Sequence, residues 1–136
     1  MRVFVDTSAW HALFDRREVN HADAYRIWSR IVKARAALVT SEYVFDELVT
    51  NLLYRVGHRL AVRAGETILR SPHVQVVDVP RERFDQAWAM FQRYEDKGFS
   101  FTDVTSFVLI TECACDAVFA FDRHFEQAGF RLLTAA

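Results

Sequence analysis

The chain has 136 residues and a formal net charge of -1, with 51% hydrophobic and 26% charged residues. This length predicts a single domain over residues 1–136, and the composition excludes wholesale disorder. Two cysteines are too few for a disulfide framework, and Glu112 and Asp116 interrupt the most apolar stretch, residues 106–121, before it could span a membrane. We therefore expect a cytoplasmic protein without a membrane partner.

Short apolar runs alternate with amphipathic segments along the whole chain. The predicted strands are residues 2–5, 37–39, 74–79 and 117–121, with a possible edge strand at 131–133. The predicted helices are residues 8–14, 21–35, 42–56, 58–69, 80–94 and 102–115, with Thr102 as a cap, and a short turn through Phe125. This alternation predicts a three-layer α/β/α fold, with a central parallel sheet of four to five short strands and helices on both faces.

Acidic residues follow two of the predicted strands. Asp6 comes directly after the first strand, and Asp122 comes directly after the fourth. Either acid alone is equally well explained as a helix cap. In an open parallel sheet, however, ligands bind beyond the carboxyl ends of the strands. Two acids at one such edge therefore predict a functional site there.

A third acid, Asp103, falls on a helical stripe that looks buried. It shares this stripe with Phe107, Ile110 and Ala114. A buried carboxylate is costly unless it is paired or bound to a metal ion. The alternative is an ordinary first-turn Asp that faces solvent and favours the helix N-terminus. Glu112 falls on the opposite side of this helix and is left out of the site.

The helix after the second strand offers two further acids, Asp46 and Glu47. Glu47 lies outside the apolar arc of this helix, in a stripe with Tyr43, Asn51 and Tyr54. Such a stripe suits either a solvent-exposed face or the wall of a groove. Periodicity alone does not choose between these interpretations, nor between Asp46 and Glu47.

Four short segments occur in order along the chain: Val5-Asp6-Thr7-Ser8-Ala9, Thr40-Ser41 followed by Glu47-Leu48, Phe101-Thr102-Asp103, and Phe121-Asp122-Arg123-His124-Phe125. Together they resemble the PIN-domain nucleases, and most closely the VapC-type toxins of bacterial toxin–antitoxin pairs. The resemblance covers essentially the whole chain and implies a site at Asp6, Glu47, Asp103 and Asp122, selecting Glu47 over Asp46. One departure is Ala120, where the family usually has Thr or Ser; a hydroxyl that could orient Asp122 is absent.

The resemblance implies that these four acids are catalytic and bind a divalent metal. Mg²⁺ and Mn²⁺ prefer carboxylate oxygens, and four carboxylates at one site would repel one another without a cation. We assign Asp6 and Asp103 as the core metal ligands. Glu47 and Asp122 are expected to complete the pocket.

Four neighbouring residues are candidates for supporting roles. Ser8 and Ser106 could orient the metal ligands, because Ser106 lies one turn from Asp103. Arg123 and His124 could bind substrate phosphates. The alternatives are ordinary hydroxyls at helix ends, a surface Arg and a partly packed His.

The function implied by the resemblance is RNA cleavage. We expect an endoribonuclease toxin that hydrolyses an RNA such as tRNA or rRNA, forms a homodimer and is inhibited by a cognate antitoxin. A PIN nuclease of housekeeping RNA processing and an inactive PIN-like binding module are the alternatives. The near-neutral net charge lacks the basic footprint of a nucleic-acid-binding protein. Without the four acids, however, the rest of the chain is net positive and compatible with an RNA backbone.

Overall fold

Four parallel strands form the centre of the molecule. The computed structural model describes all 136 residues, Met1–Ala136. Its strands are β1 (Arg2–Val5), β2 (Ala37–Ser41), β3 (Val74–Val77) and β4 (Ala117–Phe119). Its helices are α1 (Thr7–Phe14), α2 (His21–Lys33), α3 (Glu42–Arg55), α4 (His58–Arg70), α5 (Arg81–Arg93), α6 (Phe101–Glu112) and α7 (His124–Gln127). None of these helices has the length and hydropathy needed to cross a membrane.

The strand order across the sheet is β3-β2-β1-β4. The first strand, β1, is therefore central, and its Val3 lies opposite Leu38 of β2 and Ala117 of β4. The possible edge strand at 131–133 does not form; only one bridge pairs Leu132 with Val118. The sheet thus has four strands, and the predicted parallel sheet is confirmed.

Helices cover both faces of this sheet. Successive side chains of a strand point to opposite faces, and Val3, Phe4 and Val5 are all completely buried. A strand that is buried on both sides is typical of a parallel sheet between two helical layers. The predicted three-layer α/β/α arrangement is therefore confirmed.

One buried threonine joins α1 to the centre of the sheet. Thr40 is completely buried, and its hydroxyl donates to the carbonyl oxygen of Val5 at 2.8 Å. The hydroxyl oxygen of Thr40 in turn accepts from the indole Nε1–H of Trp10 at 3.3 Å. Because a buried indole N–H needs an acceptor, this contact sets where α1 lies against the ends of β1 and β2.

The start of α6 differs from the prediction. Thr102 was expected to cap this helix, but Ser100 does so, and the helix begins at Phe101. The reason is a capping box, in which Ser100 Oγ accepts from Asp103 N at 3.0 Å and Asp103 Oδ2 accepts from Ser100 N at 3.1 Å. This pairing satisfies two N–H groups that the first turn leaves free. The helix ends at Glu112, short of the predicted residue 115, because Ala114 has a φ of 52°.

We expect Thr40→Val to lower the free energy of unfolding by about 1–3 kcal/mol. Valine nearly keeps the shape of threonine but leaves the buried Nε1–H of Trp10 without its acceptor. Urea denaturation measures the loss. Thr67→Val is the matched control, because the Thr67 hydroxyl is on the exposed face of α4; its effect should stay within about 0.5 kcal/mol. Equal losses in the two variants would contradict this role of Thr40.

Candidate metal centre

The four predicted acids meet in one cleft. It has a volume of about 510 Å³ and lies at the edge where β1 and β4 end. Only two of its 15 lining residues are hydrophobic. The acids that line it are Asp6, Glu47, Asp103 and Asp122. The structure thus brings together side chains that are far apart in the sequence.

Asp6 is the most deeply buried of these acids. It is 3% exposed, caps the N-terminus of α1 and accepts at Oδ2 from Ser8 N (3.1 Å) and Ser8 Oγ (2.7 Å). Its own backbone N–H donates to the carbonyl oxygen of Phe119 in β4 at 3.0 Å. Burial raises the pKa of Asp6 from 3.8 to about 7; the bonds from Ser8 oppose this rise, and the charges of Asp103 and Glu47 add to it.

The hydroxyl of Ser8 connects two parts of the site. Besides donating to Asp6, it accepts from the backbone N–H of Phe121 at 2.9 Å. Ser8 therefore holds the segment after β4 against the start of α1. Phe121 directly follows Ala120, the position where the resembling family usually has Thr or Ser. The bond from Phe121 N to Ser8 Oγ therefore fixes the backbone beside that position.

A histidine bridges Asp103 and Asp122. His124 Nδ1 lies 2.8 Å from Asp103 Oδ2 and 3.3 Å from Asp122 Oδ1. The backbone N–H of His124 also donates to Asp122 Oδ1 at 2.9 Å. Ligand atoms of these three residues lie within 4.8 Å of one another, so they could hold a metal ion together. His124 thus orients two carboxylates at the wall of the cleft.

Glu47 enters the cleft from α3. It is half-buried, whereas Asp46 beside it is exposed and does not line the cleft. Burial raises the pKa of Glu47, Thr7 opposes this rise, and the charges of Asp103 and Asp122 add to it. The groove-wall interpretation of the Glu47 stripe is therefore correct for Glu47 itself.

Two of the predicted supporting residues lie outside the cleft. Ser106 is completely buried, but its hydroxyl donates to the carbonyl oxygen of Thr102 at 3.0 Å. Its single hydroxyl proton is therefore used within α6. The side chain of Arg123 is 83% exposed, and Glu126 is its ion-pair partner at 3.9 Å. The structure does not bring either residue to the lining of the cleft, and their supporting roles stay predictions.

Sequence analysis missed three ionisable residues that line the cleft. It included Asn51 in the Glu47 stripe but did not extend that stripe by one more turn to Arg55, eight residues after Glu47, although the helical period places both on the same side of α3. His11 of α1 and Glu18 of the following loop also line the cleft. Their place depends on how the loop runs, and side-chain periodicity carries no signal for that.

The donor set of the cleft fits a hard divalent cation. Carboxylate oxygens are the ligands that such cations prefer, and mutual repulsion adds to the raised pKa values of Asp6 and Glu47. The Thr7 hydroxyl, whose proximity to Glu47 opposes the rise in that pKa, is also buried without a partner at normal hydrogen-bond geometry. A bound cation with its water ligands would attract the carboxylates and offer that hydroxyl a partner. The residues present therefore fit a metal ion.

Comparison of the sequence and of the structure with known proteins finds matches over nearly the whole chain. The family model described as "PIN domain" matches residues 3–131. The chain is 37% identical over 128 residues to the 23S rRNA-specific endonuclease VapC20 of Mycobacterium tuberculosis, covering 94% of this chain and 95% of that protein. The crystal structure of M. tuberculosis VapC20, described as a sarcin-ricin loop cleaving toxin, superposes with a TM-score of 0.89 at 34% identity, covering 97% and 98% of the two chains.

A more distant structure shares the fold. The crystal structure of VapBC2 from Rickettsia felis bound to a DNA fragment from their promoter gives a TM-score of 0.71 at 12% identity. It covers 98% of this chain and 97% of that chain. At this level of identity, the likeness concerns the fold alone.

We expect Asp6→Asn to stabilise the metal-free protein at pH 8 by at least about 1 kcal/mol. The pKa of Asp6 rises from 3.8 to about 7 in the folded chain. Between these values the folded chain keeps a proton that the unfolded chain has released, so the free energy of unfolding falls as the pH rises through this window. Asparagine does not ionise and escapes this loss. Thermal denaturation in EDTA at pH 4 and pH 8 measures the effect, which should be small at pH 4.

The exposed Asp46 supplies the control for this experiment, and Asp46→Asn should change the Tm little at either pH. Adding Mg²⁺ at pH 8 should raise the Tm of the wild type and not that of Asp6→Asn, because a cation needs the ionised carboxylate. A stabilisation by Asp6→Asn that is equal at both pH values would contradict the role of ionisation.

Proposed function

The chain belongs to the PIN-domain family, and from this membership we propose that it is a metal-dependent endoribonuclease acting as the toxin of a toxin–antitoxin pair. The family match confirms the resemblance seen in its motifs. The observation that carries the proposal is that four carboxylates from four separate parts of the chain line one cleft. An inactive binding module would not need all four acids, and none of them is missing.

The two most buried acids are proposed as the core ligands. Asp6 and Asp103 are 3% and 6% exposed, and each is held by hydrogen bonds at a helix N-terminus. Glu47 and Asp122 are more accessible and complete the pocket. The proposed cofactor is Mg²⁺ or Mn²⁺, which when bound supplies an activated water and neutralises charge that develops on the phosphate.

The protein keeps these ligands in place before substrate arrives. Ser8 holds one oxygen of Asp6 through two hydrogen bonds. Ser100 N and His124 Nδ1 both lie within bonding distance of Asp103 Oδ2, which leaves the other oxygen of Asp103 free for the cleft. Fixed ligands do not have to reorganise when charge builds up during phosphodiester cleavage.

The proposed substrate is RNA, and 23S rRNA is the candidate that the comparison favours, since a relative at 37% identity is named for that activity. The expected products carry a 5′-phosphate and a 3′-hydroxyl, as the family resemblance implies. A ribosomal substrate would place the active protein in the cytoplasm. We further propose that residues 1–136 form a single PIN domain.

The toxin role implies a protein partner. We propose a cognate antitoxin that covers the acidic cleft, where an Arg of the antitoxin could pair with the carboxylates and displace the metal ion. We also propose a homodimer, as the family resemblance implies. Both partners are tested by the second experiment below.

Asp6→Asn and Asp103→Asn should each lower Mg²⁺-dependent RNA cleavage by about 100-fold or more. Each change removes one ligand charge while keeping the side-chain shape. Cleavage of purified 23S rRNA, followed by mapping of the new ends, measures the loss, and circular dichroism checks that the fold is kept. Glu112→Gln is the control, because Glu112 pairs with Arg83 outside the cleft. Full cleavage by both Asp variants would exclude the proposed metal site.

Expression of the wild-type chain alone should arrest bacterial growth and produce new 23S rRNA ends. Co-expression with the short gene expected directly upstream should prevent both effects and yield a complex of the two proteins, whose stoichiometry light scattering can measure. RNA cleavage without growth arrest and without inhibition by that gene product would favour the housekeeping nuclease instead.

A further inference from the structure

The charge of the cleft poses a problem for an RNA substrate. Five carboxylates line it, and Arg55 is the one guanidinium among its lining residues. A divalent cation at the metal centre can neutralise the phosphate that is cleaved. The neighbouring phosphates of the same strand also enter a negative field, and they need a positive group of the protein's own.

Arg55 lies at the opposite end of the cleft from the metal centre. It is the last residue of α3 and lies eight residues beyond Glu47, or about 12 Å along the helix axis. Asn51 lies between them on the same side of the helix and also lines the cleft. The polar row Glu47, Asn51 and Arg55 thus begins at one of the four proposed metal ligands and ends in a positive charge, which faces a single carboxylate, that of Glu18.

A network of charged residues holds the end of α3 in place. Arg17 Nη2 donates to the carbonyl oxygen of Arg55 at 3.0 Å, while Arg17 Nε donates to Asp15 at 3.3 Å. His11 Nε2 lies 3.3 Å from Asp15 Oδ2 and 3.2 Å from Glu18 Oε1. These contacts join α1, the following loop and the C-terminus of α3. They fix the backbone of Arg55 without using its guanidinium.

The guanidinium itself remains available. Its ion-pair partner is Glu18, at 3.7 Å from Nη1, which exceeds hydrogen-bonding distance, and the Arg55 side chain is 65% exposed. A guanidinium has five N–H donors in a planar fork that matches two oxygens of a phosphate. Glu18 orients this group by charge while leaving its donors free.

We propose that Arg55 binds a backbone phosphate of the RNA that lies further along the strand than the scissile one, with Glu18 as its positioning residue. This inference rests on the proposed ribonuclease function. It assigns the ligand at the far end of the cleft by chemical class, a phosphodiester of the substrate strand. The RNA strand would then run through the cleft from the proposed metal centre along α3.

Binding is tested in a background that cannot cleave. Asp6→Asn protein in Mg²⁺ is titrated with a fluorescent RNA hairpin carrying the sarcin-ricin loop sequence of 23S rRNA. Adding Arg55→Ala should raise the Kd about 10-fold. It should also reduce the slope of log Kd against log salt by about one, the change expected when one phosphate contact is lost. Arg55→Lys should restore the slope but only part of the affinity, because Lys keeps the charge and loses the fork.

The matched control is Arg59→Ala on α4, since Arg59 is exposed and does not line the cleft. It removes the same charge from the chain and should change the Kd less than 2-fold. In the otherwise wild-type enzyme, Arg55→Ala should raise KM about 10-fold with kcat within 2-fold. A merely structural role of Arg55 would lower the Tm and leave the salt slope unchanged.

The outcomes separate this inference from the function on which it rests. If the wild type cleaves RNA and Arg55→Ala binds the hairpin like Arg59→Ala, the phosphate site is wrong and the ribonuclease stands. If Arg55→Ala weakens binding with the expected change in slope but the wild type cleaves no RNA, the binding site stands and the proposed activity is wrong. A chain that neither binds nor cleaves the hairpin overturns both.

Discussion

The site depends on the parallel pairing of β1 with β4. Parallel strands end at the same edge, and the hydrogen bond from Asp6 N to Phe119 O continues this pairing one residue past β1. The start of α1 and the segment before α7 therefore meet, although more than 100 residues separate them. Ser8 joins the same two segments a second time through Phe121 N. Asp6 and Asp122, which follow the two strands, are positioned by this junction.

This arrangement brings several carboxylates together in one cleft, and two of them, Asp6 and Asp103, are buried. Burial raises the pKa of Asp6, so its ionisation in the metal-free protein costs more than it would in water. Helix N-termini, the Ser8 hydroxyl and His124 offset part of the repulsion. A cation would offset the rest. The same residues that fit a metal ion at this edge are thus expected to lower the stability of the protein without metal, as functional sites commonly do.

The net charge of the chain conceals an uneven distribution. A total of -1 combines a cleft with five carboxylates and an Arg-rich remainder. Within the cleft itself the charge is again uneven, because the four proposed metal ligands carry four of its five carboxylates and Arg55 is its one guanidinium. A nucleic acid would therefore meet attraction from a bound cation and from this guanidinium, and the average charge predicts neither.

The sequence by itself determined the alternation of strands and helices, the acids at the strand ends and the buried stripe of Asp103, because periodicity and turn chemistry are local properties. Asp46 and Glu47 remained equivalent in sequence until family resemblance separated them. The fold shows the physical difference, since packing of α3 beside α1 turns Glu47 inward and leaves Asp46 exposed.

Local competition misled the prediction at two places, where Ser100 displaced Thr102 as a cap and Ser106 bonded to its own helix. Only the tertiary structure decided that His11 and Glu18 share the cleft with the end of α3. Their meeting requires a helix end, a neighbouring helix and a loop to pack together, and contacts between separate elements leave no period in the sequence of any one of them.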